Sequence, residues 1–230
     1  MGTVIILPET VKDPISLIGR RAGVCYGVDI SNPEKNYERG LDCIKSGHGR
    51  ALEFVDAHMI LDGYSARAIR EYTRHIGGMT PWLQASTRYI DYRNFDYIVP
   101  DSIKKNKETY AFYNEAMETV AHAAECLTER GISREDIANI LPLGMETRIV
   151  EKRNLRNLAD MSHVRKCTRA YWEIKNGIFA DIESELSNYS KEWETAVKLL
   201  FIPKCELYGY CNEKKSCGRK PRRDGDNEKA

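Results

Sequence analysis

Two hydrophobic periods divide this chain: stretches where apolar residues alternate with polar ones, and stretches where they recur every three or four residues. Val4-Ile5-Ile6-Leu7 is a β-prone run closed by Pro8, and Pro14 opens an apolar and basic stretch from Ile15 to Ala22, which predicts a strand followed by a helix. Tyr37, Leu41 and Ile44 keep helical spacing within Asn36 to Ser46, and Gly47 supplies the stop. Gly47-His48-Gly49-Arg50 reads as a flexible turn. Alternation returns from Glu53 to Leu61, and the Asp62-Gly63 pair reads as a turn from that strand into a helix over Ser65 to His75. Asp91 to Pro100, with Tyr92, Phe95 and Tyr97, is expected to be extended.

From Lys104 to Arg130 the helical period is sustained by Tyr110, Tyr113, Met117, Val120, Ala124 and Leu127, with Gly131 at its end. Ser133-Arg134-Glu135-Asp136 resembles a capping box that opens a short helix through Ile140, ended by Pro142. A further helix is expected from about Arg148 to Asn176. A last amphipathic helix, Asn188 to Phe201, carries Tyr189, Trp193, Val197 and Leu200. Gly218 to Ala230 is charged and nearly devoid of apolar residues, so it is expected to be disordered. No internal repeat is evident.

Composition narrows the class. At 230 residues with 42% hydrophobic positions the chain can bury a sizeable core, and one compact α+β domain with a mixed or antiparallel sheet and long helices is the simplest architecture. The expected divisions are a catalytic part over 1–203, a Cys-containing extension over 204–217 and the charged tail over 218–230. With 35 basic and 34 acidic residues the net charge is +1, which argues against nucleic acid or an anionic membrane as partner, so any anion site is local. No long apolar run and no secretory pattern at the N-terminus are found, and a cytoplasmic protein is expected. Seven cysteines, four of them (Cys25, Cys43, Cys126 and Cys167) scattered singly, suit reduced core thiols better than a disulfide framework.

Arg74 to Tyr89 packs cations, an imidazole, paired glycines and hydroxyls into one segment. Gly77-Gly78 permits close backbone approach and Pro81 rules out a continuous helix, so the segment reads as a ligand loop. Arginine offers bidentate contacts to phosphate, Gln84 and Ser86 offer neutral hydrogen bonds, and Trp82, Tyr89 and Tyr92 offer stacking faces. Arg67 and Arg70, one helical turn earlier, are read as a solvated face.

Arg74, His75, Ser86, Arg88 and Tyr89 resemble the signature of the flavin-dependent thymidylate synthases: Arg-His-Arg, seven residues, Ser, a small residue, Arg and Tyr. Ile76 stands in place of the second arginine, and nine residues, 77–85, precede Ser86. A second segment has the family's landmarks at the family's spacing: Leu141-Pro142-Leu143, Thr147, Asn154-Leu155-Arg156-Asn157-Leu158, Arg165 and Trp172-Glu173-Ile174. His48 and Glu53 match its Gly-His, five residues, Glu pattern. The resemblance spans about His48 to Ile174.

The resemblance implies a homotetramer that makes dTMP from dUMP, with methylenetetrahydrofolate as carbon donor and FAD reduced by NADPH as hydride carrier. By position, Arg165 is the arginine that activates the pyrimidine. Arg74, His75, Ile76, Asn154, Arg156, Asp160, His48 and Arg50 fall on flavin contacts. Glu71, Arg74, Gln84, Ser86, Arg88 and Arg165 fall on nucleotide contacts. Asp160 stands where asparagine is common, Arg50 where Ser or Thr is usual, and Ala138 where an arginine helps bind the nucleotide; Arg50, Arg148 and Arg169 are the candidate substitutes. The stripe of the Lys104 to Arg130 helix then packs either across a subunit interface or within one subunit.

Two alternatives stay open. A related enzyme could methylate another pyrimidine nucleotide such as UMP. A zinc-stabilised nucleic-acid module could be built on Cys205, Cys211 and Cys217 with the basic run Arg219 to Arg223, but six-residue intervals lack close Cys-x-x-Cys pairs and a fourth ligand, unless His163 or a partner chain completes it. A partly ordered extension with free thiols and no metal is the preferred reading.

Overall fold

Thr147, Ile149, Glu151 and Arg153 turn to the buried side of a strand, Glu146–Asn154, in which every second residue is covered. This corrects the helix expected from Arg148: the period here is two, and two of its inward positions are charged, which hid the alternation. In the computed structural model, which describes residues 2–75 and 80–223, this is the last of four strands. The others are β1 (Thr3–Ile6), β2 (Asp56–Ser65) and β3 (Trp82–Gln84), and with Glu146–Asn154 as β4 the sheet order is β1-β2-β4-β3.

The register is antiparallel. Val55 accepts from Leu155 N at 2.8 Å and Met145 from Ala66 N at 2.8 Å, so β2 and β4 run oppositely. Ala85 N reaches Arg148 O at 2.8 Å and Lys152 N reaches Pro81 O at 3.1 Å, which sets β3 against β4 in the same sense. Asp62-Gly63 is not a turn: β2 runs through it, with Gly63 at φ +70° inside the strand, a conformation a side chain would strain.

The chain groups into two compact units. One draws on Met1–Thr3, Leu61–Arg74 and Trp82–Val150. Ser65 Oγ caps its α4 (Ala66–Tyr72) by accepting from Ala68 N, and the helix ends before Arg74. After a helical turn, α5 (Asp101–Lys104), comes its longest element, α6 (Lys107–Glu129), 23 residues capped by Asn106, in which Ala124 alone is buried. Ser133 caps α7 (Arg134–Ile137) as expected, and a 3-10 turn, Ala138–Ile140, continues it. Residues 91–100 form no strand beyond a bridge from Tyr97 to Met145.

The other unit draws on Val4–Ile60, His75–Pro81 and Glu151–Ala230. Pro14 starts α1 (Pro14–Cys25) and Asn32 caps α2 (Pro33–Lys45). The two pack backbone to backbone, because a Cβ on Gly19 would lie 1.7 Å from Asn36 O and one on Gly40 2.0 Å from Ile15 O. Gly49 and Arg50, expected within a flexible turn over Gly47 to Arg50, instead open a helical turn, α3 (Gly49–Leu52), with His48 before it. After β4 come α8 (Leu155–Arg165), a π-helical turn Ile174–Ile178, α9 (Phe179–Tyr189) and α10 (Lys191–Leu200). The single helix expected over Asn188 to Phe201 therefore starts only after a break at Ser190, which caps α10 by accepting from Trp193 N. Trp193 is wholly buried and donates Nε1 to Val11 O at 2.8 Å. Of the four scattered cysteines only Cys43 is buried; Cys25 is exposed, which corrects the core-thiol expectation. Among the described residues no helix is long and apolar enough to cross a membrane.

Arg153 and Glu151 form a wholly covered ion pair, Nε to Oε2 2.7 Å, with side chains 1% and 0% exposed. Removing one partner strands the other charge in the core. Arg153→Met is expected to cost about 3–5 kcal/mol in urea unfolding, while the Glu151→Leu, Arg153→Met double variant should recover most of that loss. Equal losses in both variants would show that the pair's charges are not what matters.

Candidate active site

Asn154 ends β4 in an extended conformation and its Oδ1 accepts from Asn157 N at 2.8 Å, which caps α8 and fixes where the helix begins. Capping places Arg156 in the first turn, half exposed, where it meets the loop before β2. Its Nη1 is 2.7 Å from Glu53 Oε1, and a Cβ on Gly49 would lie 3.4 Å from its Nε. Arg50, 88% exposed, reaches the other oxygen of Glu53 at 3.4 Å. Asp160, one turn along α8, lies 3.9 Å from Arg156. Five of the expected flavin residues, His48, Arg50, Asn154, Arg156 and Asp160, thus gather about α3 and the start of α8, with Glu53 as common counter-ion.

Leu158 and Met161 face the core from α8, so Arg165, a further turn on, emerges at the rim of that face. Its Nε donates to His75 Nε2 at 3.0 Å across 90 residues of sequence. An accepting Nε2 makes the imidazole neutral, with its proton on Nδ1. The backbone of His75 is fixed as well, since Arg153 Nη1 donates to its carbonyl at 2.9 Å and to Asn157 Oδ1 at 2.7 Å. Arg153 and Glu151 belong to no expected site, yet they hold its parts in place. Sequence pattern gave no signal for them, since of the four inward positions from Thr147 only Ile149 is apolar.

In the unit that holds Arg74, its guanidinium pairs with Glu71 at 3.1 Å. Gln84 donates to Thr147 Oγ1 at 3.3 Å, Ser86 Oγ accepts from Arg88 N at 3.3 Å, and Arg88 pairs with Glu135 at 3.1 Å. Arg134 donates to Tyr89 O at 2.7 Å and, with Arg93, lines the small recess that includes Thr87 and Ala138. Arg134 was read only as part of a helix cap, yet it lines this recess together with Ala138. Of the three candidate substitutes, Arg148 is taken up by Asp62, Arg50 by Glu53 and Arg169 by Glu213. Ile76, Gly77 and Gly78 lie outside the described residues.

Burial pushes the Tyr92 hydroxyl up, against a smaller opposing effect of Thr147, so Tyr92 stays a neutral phenol. The hydrogen bond from Arg148 holds Asp62 below the usual carboxylate range.

The protein is thus α+β with an antiparallel sheet, and within each unit exposed arginines pair with surface carboxylates. The family described as Thymidylate synthase complementing protein matches residues 7–181. A flavin-dependent thymidylate synthase from Pyrococcus furiosus is 30% identical over 223 residues, covering 91% of this chain and 89% of that one. The chain belongs to the flavin-dependent thymidylate synthase family, a family of FAD-dependent methyltransferases. Two solved structures share the fold at 17% identity. One is the UMP/dUMP methylase PolB from Streptomyces cacaoi bound with 5-Br dUMP, with a TM-score of 0.70 over 86% of this chain and 95% of that one. The other is ThyX from Helicobacter pylori complexed with FAD and dUMP, with a TM-score of 0.67 over 84% and 99%.

A depressed folded pKa stabilises above the ordinary carboxylate value, about 4, and that stabilisation is lost as pH falls through the folded value. Arg148→Ala is therefore expected to lower stability above pH about 4 by no more than about 1 kcal/mol, because the pair is exposed, and to leave it unchanged below the folded value, so that the acid limb flattens by that same amount. Urea midpoints measured from pH 2 to pH 7 test this; an unchanged acid limb would remove Asp62 from the account.

Proposed function

We propose that this protein makes dTMP by reductive methylation of dUMP, with methylenetetrahydrofolate as the carbon donor and FAD, reduced by NADPH, as the hydride carrier. The observation that carries the reading is the 3.0 Å contact between Arg165 and His75, which joins the two sequence motifs at the residues the family uses. FAD is an anion through its pyrophosphate, and the donor set fits one: Arg156 and Arg50 have exposed guanidinium groups at the positive end of an 11-residue helix. Asn154 has given its oxygen to the cap and offers its amide nitrogen, and Asp160 carries the one charge in the set that a phosphate would avoid.

When bound, FAD supplies the hydride it takes from NADPH. Arg165, held at Nε by His75, is assigned to the pyrimidine, where its positive charge stabilises negative charge on N3 and the neighbouring carbonyl and so leaves C5 electron-rich toward the folate methylene. Neutral His75 fixes the guanidinium plane without adding charge. Ser86, Gln84 and Arg88 are assigned to the nucleotide, and Arg74 exchanges Glu71 for phosphate. The C5 proton leaves as the methylene is attached, the methylene's bond to the folate nitrogen breaks with its electron pair going to that nitrogen, and the hydride completes the methyl group.

The assembly that goes with this reading is a homotetramer, supported by α6, which leaves Tyr110 and Phe112 exposed at 42% and 64%. Its place is the cytoplasm, in keeping with seven unpaired thiols. The catalytic part is 1–203. A second reading, methylation of UMP, is favoured by the likeness to the UMP/dUMP methylase fold.

Purified protein is expected to be yellow and to release FAD on denaturation. It should liberate tritium from C5-labelled dUMP faster than from C5-labelled UMP, and preferred turnover of UMP would replace the dUMP assignment. Arg165→Ala should lower kcat by about 100- to 1000-fold with FAD content unchanged. Arg156→Ala should instead weaken FAD binding by about one to two decades. Protein that stays colourless with added FAD would overturn the reading.

A further inference from the structure

The basic run Arg219 to Arg223 is left unused by the proposed reaction. Among the described residues no three or more His, Cys, Asp or Glu side chains form a group that could hold a metal ion; what lies beside the run is aromatic surface. Residues 204–223 carry seven lysines and arginines against Glu206 and Glu213, while the rest of the chain is net acidic, so a net charge of +1 conceals a segregated cationic stretch. Residues 224–230, the end of the charged tail, lie outside the described residues.

The stretch follows a defined path. It opens with α11 (Lys204–Tyr208), which a left-handed Gly209 at φ +77° closes. Cys211 then pairs with the returning chain, its N donating to Pro221 O at 2.7 Å and its O accepting from Arg223 N at 3.2 Å, which brings the basic run back beside Tyr210. Tyr208 and Tyr210 stack on each other, with ring centroids 5.9 Å apart and planes 22° from parallel. The Lys204 ammonium lies 5.6 Å from the Tyr208 centroid, and the Arg223 guanidinium lies 5.8 Å from that of Tyr210. Cation, ring, ring and cation thus stand in a row. The rings belong to no apolar core, since Leu207 and Tyr208 are 51% and 48% exposed. Tyr210 also lines a cavity of about 170 Å³ with Arg169, Lys204, Lys215 and Arg219. The two glutamates of the stretch are taken by Arg169 at 3.2 Å and Lys220 at 2.9 Å, which leaves Lys214, Lys215, Arg219 and Arg222 without a carboxylate among the described residues.

We propose that residues 204–223 bind single-stranded nucleic acid, with bases stacked on Tyr208 and Tyr210 and phosphates taken by the surrounding lysines and arginines. Every base has a π-face, so paired rings accept successive bases without selecting a sequence, and a single strand can splay out bases that a duplex keeps stacked inside. A cation resting on an exposed ring is the weaker contact and a stacked base the stronger, so bases displace Lys204 and Arg223 from the rings and the freed cations meet phosphate. An anionic membrane would draw on the same charges, but it calls for a sizeable amphipathic helix, and α11 has five residues. None of these side chains is assigned to the methylation chemistry, so the proposal stands or falls apart from it.

The test uses the full chain and the fluorescence anisotropy of a labelled oligouridylate and a labelled oligothymidylate of about 12 nucleotides, beside a duplex of the same length and vesicles of phosphatidylserine and phosphatidylcholine. One or both single strands should bind at least about tenfold more tightly than the duplex, with log K falling against log salt at a slope of about −3, the value for some four phosphates. Tyr208→Ala and Tyr210→Ala should each weaken binding about 5- to 100-fold with the slope unchanged. The Arg219→Gln, Arg222→Gln variant should make the slope shallower by about 1.4. Each variant should keep the urea unfolding transition, and excess FAD and dUMP should leave the strand bound. No binding of either strand at about 50 mM salt, an equal hold on the duplex, affinity indifferent to both tyrosines, displacement by FAD and dUMP, or binding to the vesicles alone would each overturn the proposal.

Discussion

The guanidinium of Arg153 is the constraint on which the rest of the site depends. A cation 1% exposed is tolerated only when its donors are met, because desolvation costs several kcal/mol and attraction to one carboxylate does not reliably repay it. Arg153 spends its donors on Glu151 in its own strand, on Asn157 in the first turn of α8 and on the backbone of His75. A strand end, a helix start and the approach to the ligand loop are thereby fixed by one planar group. Lysine could not replace it, since a single ammonium lacks the forked donors that reach three partners at once.

Order passes outward from that point. With its carbonyl held, His75 can present Nε2 to Arg165, and Arg165 rises from a helix whose start was set by the same contacts. The arginine that activates the pyrimidine in the proposed reaction is thus oriented before any ligand arrives. Electrostatic stabilisation gains most from such preorganisation, because no reorganisation is then needed as charge develops.

Much of this was legible in the sequence. The three-to-four-residue period located α1, α2, α6 and the cap of α7, and the motifs named His75 and Arg165 before their contact was seen. β4 was missed because Glu151 and Arg153 occupy inward positions, and a hydrophobicity pattern counts charged residues as outward. Glu-Lys-Arg-Asn-Leu-Arg is also locally helix-prone, so propensity reinforced the error until the sheet overrode it. The contact of α1 with α2 through Gly19 and Gly40 leaves no trace in periodicity, since the decisive feature is an absent side chain.

The remaining cations are held in a different way, which bears on how a nearly neutral chain would take up the anions of the proposed reaction. Arg74 with Glu71, Arg88 with Glu135 and Arg50 with Glu53 are surface pairs, with arginine side chains 70%, 61% and 88% exposed. Such pairs are worth between about zero and 1 kcal/mol, so the carboxylate is a resting partner that a phosphate can displace at little cost. A bidentate arginine–phosphate contact is the stronger bond. With a net charge of +1 there is no long-range field to gather ligand, so affinity must come from this local exchange. Rigid buried charge at Arg153 holds geometry, while in the proposed reaction the exchangeable exposed charges take up ligand.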